Sequence, residues 1–221
     1  MSQITLYGVG FSPFVRKVML VLKEKGLPFE HVPMTPRDLT PELRKHTPLG
    51  KIPFARIGDL WLPDSSIICT YLERKHPNPP LYPRNDEEYV RALWFEEFID
   101  AGAVAKLGGS IYFERILAPR LAKRPPDEAK INKAIAEDVP LIYNYLNNEV
   151  GQKQYLVGDR YTIADIAVAS FFVNMKQADV PPDPARWPNL ARYIQHHHAR
   201  PALAAMIAVR STFEAGKQLR G

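Results

Sequence analysis

Cysteine is almost absent: Cys69 is the single one among 221 residues. No intrachain disulfide can form, and nothing points to an oxidising compartment. Long apolar runs are missing too. None approaches the ~18–20 residues that cross a bilayer, so no membrane association is expected. The first residues carry neither the basic segment nor the apolar stretch of a secretory signal, and the expected location is cytoplasmic. Charge of one sign is nowhere concentrated. The net charge is +5, but bases and acids are mixed through Arg84–Glu88 and Glu114–Arg124. No Lys/Arg stripe is interleaved with aromatics, which argues against nucleic acid. HExxH, CxxC, P-loop and GxGxxG patterns are all lacking. His196, His197 and His198 are consecutive, and neighbours on a helix diverge by about 100°. They do not converge on one ion, and the triplet reads as an exposed helix end. No metal is expected.

What is there suffices for one large domain or two small ones, with 46% hydrophobic and 24% charged residues. The opening stretch runs strand, loop, helix. Ile4-Thr5-Leu6-Tyr7 is a short apolar run, Gly8-Val9-Gly10-Phe11 a loop. From Ser12-Pro13, apolar residues at 14, 15, 18, 19 and 22 give a helical spacing. Ser12 stands at the N-cap and Pro13 at the first helical position. One hydroxyl is thus presented at the positive end of a helix, a place that favours anions, a thiolate among them. Taken alone, Ser12 is an ordinary cap.

Lys25-Gly26-Leu27-Pro28 ends that helix. Residues 29–34 form a second strand candidate, and 51–57 with 60–62 a hairpin turning at Gly58-Asp59. Asp64-Ser65-Ser66 opens a helix with a buried stripe at 67, 68, 71 and 72, which puts Cys69 off its centre, partly exposed or in a subunit contact. Residues 79–86 are a proline-rich linker. Everything after it has helical patterning: a long stretch from 87 to about 118, interrupted at Gly108-Gly109 and stopped by Pro119, then helices near 127–150, 163–173, 188–198 and 201–210. The expected architecture is α/β plus all-α. Residues 1–78 form a domain with a mixed four-stranded sheet, and residues 87–221 an all-helical domain.

Four motifs in order carry a family resemblance. They are Phe11-Ser12-Pro13-Phe14-Val15-Arg16-Lys17, Thr47-Pro48-Leu49-Gly50-Lys51-Ile52-Pro53, Leu62-Pro63-Asp64-Ser65-Ser66-Ile67-Ile68, and Tyr155-Leu156-Val157-Gly158-Asp159 leading to Thr162-Ile163-Ala164-Asp165. Together with the two-domain plan they resemble the cytosolic glutathione transferases (GSTs), in a serine-type member. The resemblance implies a thioredoxin-like N-terminal domain, a homodimer, and glutathione as cosubstrate. It further implies that Pro53 is cis and that the Ile52 backbone pairs with the cysteinyl part of glutathione as an added strand. Asp64 and Ser65 would hold the γ-glutamyl end at a helix N-terminus, and Lys51 the glycine carboxylate. Ser12 would donate a hydrogen bond to the glutathione sulfur, where thiol-transferring relatives carry Cys. Tyr7, at the end of the first strand, is the competing donor. An acceptor pocket between the domains, lined by Phe11, Phe14, Leu107, Ile111, Tyr112 and Phe213, would take a small apolar electrophile or an organic hydroperoxide. Asp100 follows the position from which relatives reach the partner's glutathione, and a solvated acid is its plain alternative. Thr162–Asp165 is read as structural. The alternative function is a ligand-binding or interaction protein on the same fold, without turnover.

Overall fold

The computed structural model describes residues 3–208. They fall into two compact units. The first takes everything up to Asp100 together with Val157–Ser170, and the second Ala101–Leu156 together with everything from Phe171 on.

The first unit is built on a four-stranded sheet with strands β1 (Ile4–Tyr7), β2 (Glu30–Val32), β3 (Phe54–Ile57) and β4 (Leu60–Pro63), in the order β2-β1-β3-β4. β1 runs parallel to β2 and antiparallel to β3, and β3 and β4 form the expected hairpin. Between β1 and β2 lies α1 (Pro13–Glu24). Its C-terminus closes at Gly26, where φ is +64° and the next N–H, of Leu27, returns to the Leu22 carbonyl at 2.9 Å. A short helix, α2 (Pro41–Arg44), follows β2, and α3 (Ser65–Lys75) follows β4. Lys25, buried at the end of α1, ties the two long helices together. Its ammonium meets Glu73 at 2.7 Å and the carbonyls of His76 and Pro79 at 2.7 and 2.9 Å.

The buried face of α3 is Ser65, Ile68, Cys69 and Leu72, while Ile67 is 54% exposed. The stripe is rotated by one residue from the sequence expectation. Cys69 is fully buried, not partly exposed or at a subunit contact. The spacing 65/68/69/72 is as helical as 67/68/71/72, and the small Ser65 and Cys69 fit a close helix contact that Ile67 does not. Burial pushes the Cys69 thiol far up, so it is a packing group rather than a nucleophile.

After α4 (Asp86–Glu97), capped by Asn85, the chain stays helical as a π-wound segment from Phe98 to Ala122. Neither Gly108-Gly109 nor Pro119 stops it as expected. Gly108 faces Val104 so closely that a Cβ would lie 3.2 Å from Cγ1, and the helical segment runs three residues past Pro119, to Ala122. In the second unit, α5 (Glu128–Val150) packs on α7 (Pro188–His198). α7 begins at Trp187 without a side-chain cap of its own. Asn147 of α5 supplies one, its Oδ1 accepting from the N–H groups of Asn189 and Leu190 at 3.1 and 3.2 Å. α6 (Ile163–Gln177) starts at the Thr162/Asp165 box, where Asp165 accepts from the Thr162 N–H at 2.8 Å and from its hydroxyl at 3.1 Å. The chain is helical again over 201–208. No described helix is long and apolar enough to cross a membrane.

Candidate active site

Ser12 caps α1 as its sequence context requires. Its φ and ψ are −68° and 128°, and its Oγ accepts from the Val15 N–H at 3.4 Å. The cap uses an acceptor lone pair, so the hydroxyl proton remains available to an outside acceptor. The loop before it is held from three sides. The Gly8 N–H donates to the Val32 carbonyl at 3.0 Å, and its own carbonyl accepts from His31 Nε2 at 2.7 Å. Arg16, buried, donates to the carbonyls of Gly10 and Phe11 at 3.2 and 3.4 Å and to that of Ser170 on α6 at 2.5 Å. Gly8 has φ +142°, and a Cβ there would lie 2.5 Å from Val15 and 3.3 Å from Ile52. The serine loop and the Ile52 segment therefore touch.

The Ile52–Pro53 bond is cis. β3 begins only at Phe54, so Ile52 lies outside the ladder. Among the described residues neither its N–H nor its C=O pairs with another backbone group. Lys51 is exposed, and its carbonyl accepts from the Thr47 hydroxyl at 2.8 Å. Arg44 was not singled out by the sequence motifs. Its guanidinium covers Gly50, 2.7 Å from where a Cβ would be, and so stands beside Lys51. Asp64 caps α3 from φ +78°, its Oδ1 accepting from the Ser66 N–H at 2.8 Å, and Ser65 is buried next to it.

Tyr7 is stacked on Phe54, with centroids 4.6 Å apart and planes 1° apart, and lies 5.7 Å from Trp61. Phe11 and Phe14, half-buried, flank Ser12. Leu107 and Ile111 are fully buried, and Tyr112 is buried with its hydroxyl 3.5 Å from Gln177 Oε1, all in the second unit. Phe213 lies outside the described residues. Asp100 is bound to its own chain: the Lys17 ammonium donates to it at 2.5 Å and to Glu96 at 2.6 Å. Burial opposes the Lys17 charge, but Asp100 and Glu96 outweigh it and hold the ammonium protonated. Burial pushes the Asp100 carboxyl up to about 6 against the pull of Lys17. His197 is buried, so the triplet is not wholly an exposed end. Its Nε2 donates to the Gln154 carbonyl at 3.0 Å because a helix end packed on α5 turns one residue in three inward. Among the described residues no His, Cys, Asp and Glu side chains group as a metal site. A cavity of about 520 Å³ between Ile4, Leu27, Phe29, Ile57 and Leu72 opens at the other end of the sheet and contains none of the Ser12, Ile52 or Asp64 groups.

A family model of the glutathione S-transferase N-terminal domain matches residues 6–80, and one of the C-terminal domain matches residues 113–210. Glutathione S-transferase 4 of Zea mays is 30% identical over 169 residues, 74% of this chain and 74% of its own. A glutathione S-transferase of Methylobacterium radiotolerans, solved in complex with glutathione sulfonate, is 30% identical with a TM-score of 0.75, covering 93% of this chain and 95% of that one. Elongation factor 1-gamma of Schizosaccharomyces pombe is 31% identical over 172 residues, 77% of this chain but 40% of its own. The chain belongs to the glutathione S-transferase family, and its first unit is the family's thioredoxin-like fold.

Proposed function

We propose that the protein is a serine-type glutathione transferase that conjugates glutathione to a small apolar electrophile, and that Ser12 activates the thiol. The observation that carries this is the Ser12 cap. Its oxygen is committed to the helix, its proton is not, and it stands at a helix N-terminus, at the end of the loop whose Gly8 lies against Ile52. A hydrogen bond to a charged group contributes about 1.5–3 kcal/mol, which is roughly one to two units of thiol pKa at 1.36 kcal/mol per unit. From a thiol pKa near 8.5, the thiolate at pH 7 rises from about 3% to between roughly a quarter and four-fifths. Tyr7, its ring stacked on Phe54 and Trp61, is the competing donor candidate, but it does not stand at a helix N-terminus as Ser12 does.

In this reading residues 1–78 are the glutathione-binding domain and residues 87–221 the helical one. The open Ile52 N–H and C=O take the cysteinyl backbone, the α3 N-terminus at Asp64-Ser65 takes the γ-glutamyl carboxylate, and Lys51 with Arg44 takes the glycine carboxylate. Phe11 and Phe14 give the thiol an apolar surround, which suits an apolar electrophile and equally an organic hydroperoxide. Val90 and Trp94, one turn apart on α4 and 64% and 50% exposed, supply an apolar face for a homodimer. Fold alone does not decide between turnover and binding, and a relative matched over 77% of this chain bears the name of an elongation factor. Conjugation of glutathione to an activated aryl chloride tests the enzyme reading: steady turnover is expected in the wild type, and its absence with glutathione still bound would favour a carrier.

A further inference from the structure

Lys17 is a buried charge that thiol activation leaves unused. It sits five residues past Ser12 on α1 and is 1% exposed. Its ammonium has three acceptors on three other segments: Ser66 Oγ at 3.0 Å on α3, Glu96 at 2.6 Å on α4, and Asp100 at 2.5 Å just beyond. The Ser66 hydroxyl in turn lies 3.4 Å from Asp100, and the Ser66 N–H is the group that fixes Asp64. Glu96 is steadied further by the Tyr82 hydroxyl at 3.5 Å.

We propose that Lys17 is a positioning residue: it locks the Ser12 helix to the Asp64-Ser65-Ser66 turn and holds Asp100 against that turn, so that the γ-glutamyl end of glutathione meets a preset site. This rests on the glutathione reading above and adds how its two ends are kept in register. A buried lysine is a costly way to join helices, since apolar groups of the same size pack as well or better. Its geometry explains the expense. One ammonium reaches the Ser66 hydroxyl in the first turn of α3 and two carboxylates at once, using all three of its N–H donors. Asp100 is the solvent-touching member, its side chain 16% exposed against 1% and 4% for Lys17 and Glu96. Without Lys17, Asp100 and Glu96 would be left as like charges near Asp64, and the turn would lose its anchor.

The experiment compares Lys17→Met and Ser66→Ala with the wild type in the full chain. It reads the KM for glutathione, kcat, and the pKa of the bound glutathione thiol. Lys17→Met is expected to raise KM roughly tenfold or more, and Ser66→Ala a few-fold, with kcat and the bound thiol pKa unchanged because Ser12 keeps its cap. Lys17→Arg, which keeps the charge, is expected to restore part of the loss. Ser66→Ala removes one hydroxyl and decides alone if Lys17→Met does not fold. Unchanged KM in Ser66→Ala, or KM and thiol pKa moving together in both variants, overturns the role of Lys17. A wild type that does not bind glutathione overturns the functional reading itself, which is a separate outcome.

Discussion

Single residues decide how the site is assembled, and Gly8 shows it most directly. The turn from β1 into the serine loop needs φ +142°, a conformation open in practice only to glycine. The missing side chain also lets Val15 and Ile52 close on the same point. Gly8→Ala is therefore expected to destabilise the protein by about 2–4 kcal/mol and to weaken glutathione binding, because the serine loop and the Ile52 segment are pushed apart. Thermal unfolding and a glutathione titration check this; full stability with unchanged affinity would contradict it. The helix starts at Ser12 and Asp64 were legible in the sequence from cap residues, whereas the cis Ile52–Pro53 bond was expected only through the family resemblance. Arg16 and Lys17 were not legible. Two cations in mid-helix look like a solvated face, and nothing in their spacing announces that carbonyls 154 residues away and carboxylates 79 and 83 residues away will receive them.

Among the elements, α7 combines a borrowed cap with a buried base. His197 is fully buried, with Nε2 on the Gln154 carbonyl and its ring 4.2 Å from Tyr193. Burial pulls its pKa down from 6.5 to about 4. The folded state thus keeps the imidazole neutral where the unfolded chain would protonate it. The stability this contributes is present above pH 6.5 and is lost as the pH falls towards about 4, by roughly 3 kcal/mol in all. In His197→Phe that component should vanish. The variant is less stable at neutral pH, since the Gln154 carbonyl loses its donor, but flatter between pH 6.5 and 4 than the wild type. Chemical denaturation across that range measures it; parallel curves would count against the buried neutral histidine. The existence and order of most helices could be read from periodicity, yet the phase of α3 could not. A one-residue rotation of the buried stripe exchanges Ile67 for Cys69, and it is set by what α3 packs against, which the local pattern does not contain.

At the scale of the whole molecule, the succession of a mixed sheet unit and helices followed from the strand-helix-strand, strand-strand-helix order and the prolines after residue 76. The extent of the long helical stretch did not, because glycine and proline act as breakers only where the backbone has no neighbouring support. Assembly is the other question at this scale. If Val90 and Trp94 form the subunit contact, Trp94→Glu should shift sedimentation from dimer to monomer without unfolding, since both side chains are already exposed in the single chain. A variant that sediments as the wild type does would move the contact elsewhere. The central claim, that Ser12 turns glutathione into a nucleophile, is tested most directly by following the ultraviolet absorbance of the bound glutathione thiolate against pH in wild type and Ser12→Ala. A thiol pKa lowered by one to two units in the wild type, and returned close to that of free glutathione in the variant while binding survives, is the expected result. An equally lowered pKa in Ser12→Ala would assign the work to another donor, and a wild type that binds glutathione with its thiol unshifted would contradict the claim.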